Sequence, residues 1–184
     1  MSKLETNTID TISGTTNLTI GSTNSTTVTF ENGSPTGHMY PAFEASVSAD
    51  QTITSATWTV ASCDTEEYDT DSCYDTSTYK FTPTVAGKYL VYGFIYGQCS
   101  TDNELSRVIM AISKNGSRTV NATMQANTSS RSCVFTPSAS VVYDLNGSTD
   151  YVQLEGYVQV NAGNAQISGA ANQRSYFGAY RIGA

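Results

Sequence analysis

The densest run of acidic side chains is CDTEEYDTDSCYD, residues 63–75, which holds Asp64, Glu66, Glu67, Asp69, Asp71 and Asp75. Carboxylates crowded on a loop can supply the roughly six to eight oxygens that a calcium ion takes. Asp64, Asp69, Asp71 and Asp75 are therefore the candidate metal ligands. The run lacks the D-x-[DN]-x-[DN]-G spacing and closing Glu of a calcium loop, so a solvated acidic loop is the competing reading. Paired carboxylates could also serve glycoside hydrolysis, but nothing sets two of them across a cleft. His38 is the only histidine; a serine triad would need it beside a nucleophile, and it stands alone next to a turn. No G-x-x-x-x-G-K-[ST] or G-x-G-x-x-G stretch supports nucleotide binding. The expectation is a protein without catalytic residues and without a cofactor, calcium being the one ion with candidate ligands.

Four cysteines, Cys63, Cys73, Cys99 and Cys133, form no CxxC pair, which argues against zinc. They read either as half-buried thiols or as two disulfides. In the second case Cys63 and Cys73, which flank the acidic run, would close it, and a bridge would stabilise by about 2–4 kcal/mol.

The elements that must carry these residues are strands. Thr, Ser, Asn, Gly, Val and Tyr dominate, while Leu, Lys, Glu and Arg are scarce. β-Branched and aromatic residues suit a pleated sheet, and Ser, Asn and Gly supply turns. The chain has 184 residues, a net charge of −7 and 14% charged residues. An acidic chain without a basic patch is a poor ligand for nucleic acid and gains nothing from anionic lipid. No apolar run is long enough for a transmembrane helix, so no membrane insertion is expected. The start, MSKLETNTID, has no apolar core of a secretory signal; release by lysis, as with a virus, is one route outside a cell.

Residues 1–36 differ from the rest. NTIDTISGTTNLTIGSTNSTTVTFENGSPTG has sparse apolar beats at Ile9, Ile12, Leu18, Ile20, Val28 and Phe30. One chain cannot build a core from them, whereas three wound together could; a flexible polar linker is the alternative. After the turn run ENGSPTGHMYP, residues 37–184 read as successive strands over 42–48, 55–62, 80–81, 88–96, 107–114, 117–126, 132–143, 151–160 and 176–182. This spacing indicates a sandwich or barrel. KNGS at 114–117 predicts a type I′ hairpin, and LNGS at 145–148 a second. In YVQLEGYVQV, Val152, Leu154, Gly156 and Val158 share one face. In SRVIMAIS, Val108, Met110 and Ile112 do the same. KYLVYGFIYG is apolar or aromatic on both faces, as in a strand buried at the sheet centre or against a partner chain. Its Tyr89, Tyr92, Phe94 and Tyr96 favour a partner, since aromatic residues are enriched at interfaces.

At this strand the sequence resembles the C1q-type jelly roll, a relative of the tumour necrosis factor fold. FTPTVAGKY carries the family's aromatic-Gly-Tyr pattern as Phe81, Gly87 and Tyr89, with Tyr74 and Asp69 in the upstream positions. DYVQLEG at 150–156 resembles the penultimate strand, and SYFGAYRIG at 175–183 the closing strand, with Phe177 in the aromatic position. The pattern's first aromatic falls at Cys63, and Val91 and Gly93 stand where two further aromatics are expected. The likeness covers residues 40–184. It implies an all-β C1q/TNF-like jelly-roll sandwich and a compact homotrimer, with Tyr89, Tyr92, Phe94, Tyr96, Tyr157, Phe177 and Tyr180 in its interface or core. It also implies binding through loops, without catalysis. In such a jelly roll the third and sixth major strands are neighbours, which would bring Cys99 to Cys133.

There is no Gly-X-Y stalk. The Thr/Asn/Gly-rich start resembles the short β-rich shafts of phage fibres and spikes instead. The expected role is a trimeric phage virion protein on the virion surface. Residues 1–36 would form a β-rich stalk and anchor it to other virion proteins, and the head would attach to a host-surface glycan or protein. Capsid decoration or cement without a receptor role, and a secreted C1q-like recognition protein, are the alternatives. The last would carry glycans at sequons such as Asn115 and Asn121.

Overall fold

The computed structural model describes residues 41–126 and 134–183. Within them the chain is all strand and turn. In order the strands are β1 (Ala42–Ser46), β2 (Gln51–Ile53), β3 (Trp58–Val60), β4 (Thr65–Asp69), β5 (Tyr74–Asp75), β6 (Lys80–Phe81), β7 (Gly87–Phe94), β8 (Gly97–Cys99), β9 (Leu105–Lys114), β10 (Ser117–Gln125), β11 (Val134–Phe135), β12 (Ser138–Leu145), β13 (Val152–Val160), β14 (Ala165–Ile167) and β15 (Tyr176–Gly183). The first sheet has the order β12-β7-β15-β1-β4. The second runs β10-β9-β13-β6-β5, with β3 also on β13, and a smaller sheet runs β11-β8-β14-β2. Every pairing is antiparallel. β1 lies between the last strand and β4, with Ala42 opposite Tyr180 and Ser46 opposite Tyr176.

The period-two pattern builds the core. Phe43, Ala45, Tyr89, Val91, Phe177 and Ala179 point inward from the first sheet. Val108, Met110, Ile112, Val152, Leu154 and Val158 point inward from the second, and all are buried. Phe43 is the hub of the aromatic cluster. It stacks on Tyr74 and Phe81 at 4.5 Å each and meets Phe177 edge-on at 5.1 Å. Tyr74 also donates to the Cys63 carbonyl at 2.7 Å, so its hydroxyl is satisfied inside the core.

The hairpin at KNGS forms as its sequence requires: Asn115 and Gly116 both take positive φ, at 51° and 77°, between β9 and β10. LNGS does not form one. β12 pairs with β7 and β13 with β9, so the segment crosses between sheets. Asn146 organises it by accepting from the Ser148, Thr149 and Asp150 amides at 2.9–3.0 Å. Gly147 has φ 70°, and a Cβ there would lie 2.3 Å from the Ala86 nitrogen. Gly147→Ala should therefore cost about 1–3 kcal/mol, read as a lower urea midpoint; an unchanged midpoint would show that the crossover can shift without cost.

The acidic run is not a loop throughout. Its first half is β4, the edge of the first sheet, whose Glu66 and Glu67 are exposed. Charge on an exposed edge discourages pairing with other chains. The predicted strand over 132–143 is two strands, broken at Pro137, which has no amide to donate. Residues 1–36, and with them the stalk expectation, lie outside the described residues.

Candidate functional site

The outer face of the first sheet is the candidate site. Register places Tyr68, Glu44, Gly178, Tyr92 and Ser140 in one row across five strands. The next row toward the end of β1 holds Ser46, Tyr176, Phe94 and Ser138; on the other side stand Ala42, Tyr180, Leu90 and Val142. Gly178 makes the central row work. A Cβ there would lie 2.4 Å from the Tyr92 ring, so only the missing side chain lets that ring cross β15. Its hydroxyl then donates to Glu44 Oε2 at 2.6 Å. Burial, and then the hydrogen bonds to Glu44 and Tyr68, push the Tyr92 phenol well above its ordinary value.

Around it the aromatic rings brace one another. Phe94 and Tyr176 stack at 5.2 Å, and Tyr92 lies 6.4 Å from both Tyr176 and Tyr180 in edge-on contacts. Beside them is a shallow open depression of about 340 Å³ lined by Tyr92, Gly93, Ser138, Ala139, Ser140 and Tyr176. Among the described residues six large hydrophobic side chains are exposed, and four of them (Tyr68, Val142, Tyr176 and Ile182) lie on this sheet. A rigid aromatic face with serines along its border has the composition of a protein interface.

The aromatic residues singled out from the sequence divide by strand parity. Tyr89 and Phe177 are core residues, 0% and 1% exposed. Burial pushes the Tyr89 phenol up to about 12, and its hydroxyl donates to the Val85 carbonyl at 2.6 Å. Tyr92, Phe94 and Tyr180 lie on the outer face. Tyr96 falls between β7 and β8. Tyr157 is on the second sheet, opposite Trp58, and does not join the others. Sequence reasoning overlooked Glu44, Tyr68, Val142, Tyr176 and Ile182. Alternation in SYFGAYRIG puts Tyr176 with Tyr180 and was the available signal.

The candidate calcium ligands are not brought together; the described residues contain no group of three metal-ligating side chains. Each carboxylate instead closes a local contact. Asp64 accepts from the Ser48 amide and hydroxyl at 2.9 and 2.7 Å, and Asp69 from the Tyr74 amide at 2.7 Å. Asp71 accepts from Thr84 Oγ1. Asp75 accepts from the Ser77 and Thr78 side chains, which hold its carboxyl down at about 2.

The Cys63–Cys73 bridge does not form either: both are free thiols, with β4 running extended between them. Cys63 is core, whereas Cys73 Sγ faces the Asp71 carbonyl at 3.5 Å and Thr84 Oγ1 at 3.9 Å. Burial, with the Asp64 charge added, pushes the Cys63 thiol up to about 12; burial also raises Cys73. Since thiolates are the reactive form, iodoacetamide on native protein should spare Cys63 and Cys73 and label both after denaturation. A 63–73 disulfide peptide in an unreduced digest would contradict this. Cys99 Sγ lies 3.1 Å from the Ala162 carbonyl; the Cys99–Cys133 contact involves Cys133, which is outside the described residues.

The model of the C1q domain matches residues 42–182. No curated protein matches the sequence. Among solved structures, Eiger TNF from S. frugiperda is similar with a TM-score of 0.54 and 14% identity, covering 78% of this chain and 93% of that one. Murine APRIL at pH 5.0 is similar with a TM-score of 0.55 and 10% identity, covering 77% and 98%. At these identities the likeness is one of fold.

Proposed function

Because the chain belongs to the C1q domain family, we propose that it is a non-catalytic assembly module. Three copies pack through the outer face of the first sheet, and the trimer serves as a phage virion appendage. The observation that carries the assembly is the aromatic face itself: Tyr68, Val142, Tyr176 and Ile182 expose 39–50% of their surface on one sheet. Covering such area is the main favourable term in association. A threefold ring is closed by a heterologous contact, in which one edge of the face meets the other edge of the next copy. Exposed Tyr68 on β4 and the depression beside Tyr176 are the two features such a contact could bring together. The virion role is supported by the polar, β-prone residues 1–36, which suit a stalk anchored among other virion proteins. The loops at the far end then attach to a host surface.

Light scattering on the full chain and on residues 37–184 tests the assembly. A trimeric mass is expected in both, which for the full chain is near 59 kDa, three times its 19.7 kDa. A monomer in both overturns the reading, and a trimer only with residues 1–36 moves assembly to the stalk. For the virion role, saturating purified protein should block adsorption of particles to host cells. Unchanged adsorption, with heat-sensitive particles when the protein is absent, would identify a capsid cement instead.

A further inference from the structure

The second sheet turns a different face outward. On it a ladder alternates cation and ring: the Arg118 guanidinium lies 4.5 Å above Trp58, Trp58 is 5.6 Å from Tyr157, and Arg107 is 5.2 Å from the Tyr157 centroid. The Arg118 half has a structural purpose. Its Nε donates at 2.7 Å to Glu155, which is 7% exposed, and a buried carboxylate needs such a partner. Arg118 reaches it from β10 over β9, where Ser113 of the Arg118 row and Ala111 are small.

The Arg107 half has no such explanation. Lys88, Lys114, Arg118 and Arg174 pair with carboxylates, while Arg181 donates to the Ala86 carbonyl and Lys80 lies over the Tyr151 ring. Arg107 is held by two neutral oxygens instead, Tyr157 Oη at 3.2 Å and Gln159 Oε1 at 2.9 Å. Its Nε is buried and has no hydrogen-bond partner among the described residues, so a ligand would meet the Nη end of the guanidinium. A fixed guanidinium with no carboxylate on it among the described residues, in a chain of net charge −7, is complementary to an anion. The only tryptophan of the chain stands beside it, partly exposed on a strand rather than in the core. Rings offer a flat surface to the C–H face of a sugar, and strands hold the group rigid.

We propose that Trp58, Tyr157 and Arg107 form a binding site for an acidic glycan, its sugar ring on the aromatic pair and its carboxylate at Arg107. The site lies within one protomer, on the sheet opposite the assembly face. It adds a ligand class to the attachment role and depends on that reading for its biological sense alone.

The single tryptophan makes the test direct, since intrinsic indole fluorescence reports only Trp58. Titration of the full chain with 3′-sialyllactose should give a saturable change. Lactose, which lacks the acid, and the Arg107→Gln variant should each bind about tenfold more weakly or worse, the loss of one charge-assisted contact. Trp58→Phe, followed by calorimetry, should weaken binding too and serves if Arg107→Gln does not fold. Tyr176→Arg, aimed at the other sheet, should bind as the parent does whatever its mass, so the two readings fail separately. No saturable change with sialyllactose, or equal binding of lactose, overturns the proposal.

Discussion

Replacing Tyr176 with arginine should convert the proposed trimer into monomers at micromolar concentration while leaving the fold intact. Tyr176 is 39% exposed in the protomer and its ring stacks on Phe94 with planes 14° apart, so it is pre-set for a partner at little entropic cost. Truncating a central aromatic anchor costs about 2 kcal/mol or more in an interface. A buried guanidinium without a carboxylate adds about 3–5 kcal/mol, and a ring of three copies meets that cost three times. In the isolated protomer the same arginine stays in water, where surface substitutions shift stability by only about 0.5 kcal/mol. Light scattering should therefore show 19.7 kDa with an unchanged far-ultraviolet spectrum. A variant that keeps the parental mass would mean that the aromatic face is not what holds the copies together.

Phe43→Ala should be the most damaging single truncation inside the sandwich. The ring is fully buried and packs against Tyr74, Phe81 and Phe177. Removing it forfeits hydrophobic transfer and leaves a cavity among rings that cannot collapse, about 3–5 kcal/mol together. For a chain of this size that lowers the thermal midpoint by roughly 10 °C or more, compared at equal protein concentration because assembly contributes to the midpoint. Phe43→Leu keeps most of the buried surface and should lose much less. Equal loss from the two would show that strain rather than cavity volume governs the site.

The long strands were legible because their alternation is written locally. Val108, Met110 and Ile112, and Val152, Leu154 and Val158, share faces in the sequence and in the sheets. The likeness at Phe81, Gly87 and Tyr89 located the core. What was not legible was set by distant parts of the chain. LNGS has hairpin chemistry, yet the sheet that each flanking strand joins is decided elsewhere. The acidic run hid β4 because an edge strand needs no apolar face. Tyr89 and Tyr92 differ only in parity, and neither residue type says which parity faces inward. Trp58 lies within the strand expected over 55–62, but its place opposite Tyr157 is set by the distant pairing of β3 with β13.

One consequence of the β1–β15 pairing concerns change over time. The Arg181 amide donates to the Pro41 carbonyl at 3.2 Å, so the polypeptide enters and leaves the sandwich at the same pole. The exposed turn at Ala170–Gln173 lies at the other pole, where β1 ends and β15 begins. Any tether pulls on one pole alone, and length or composition at the other can drift without disturbing the mooring. The topology thus separates what must be kept from what is free to diversify.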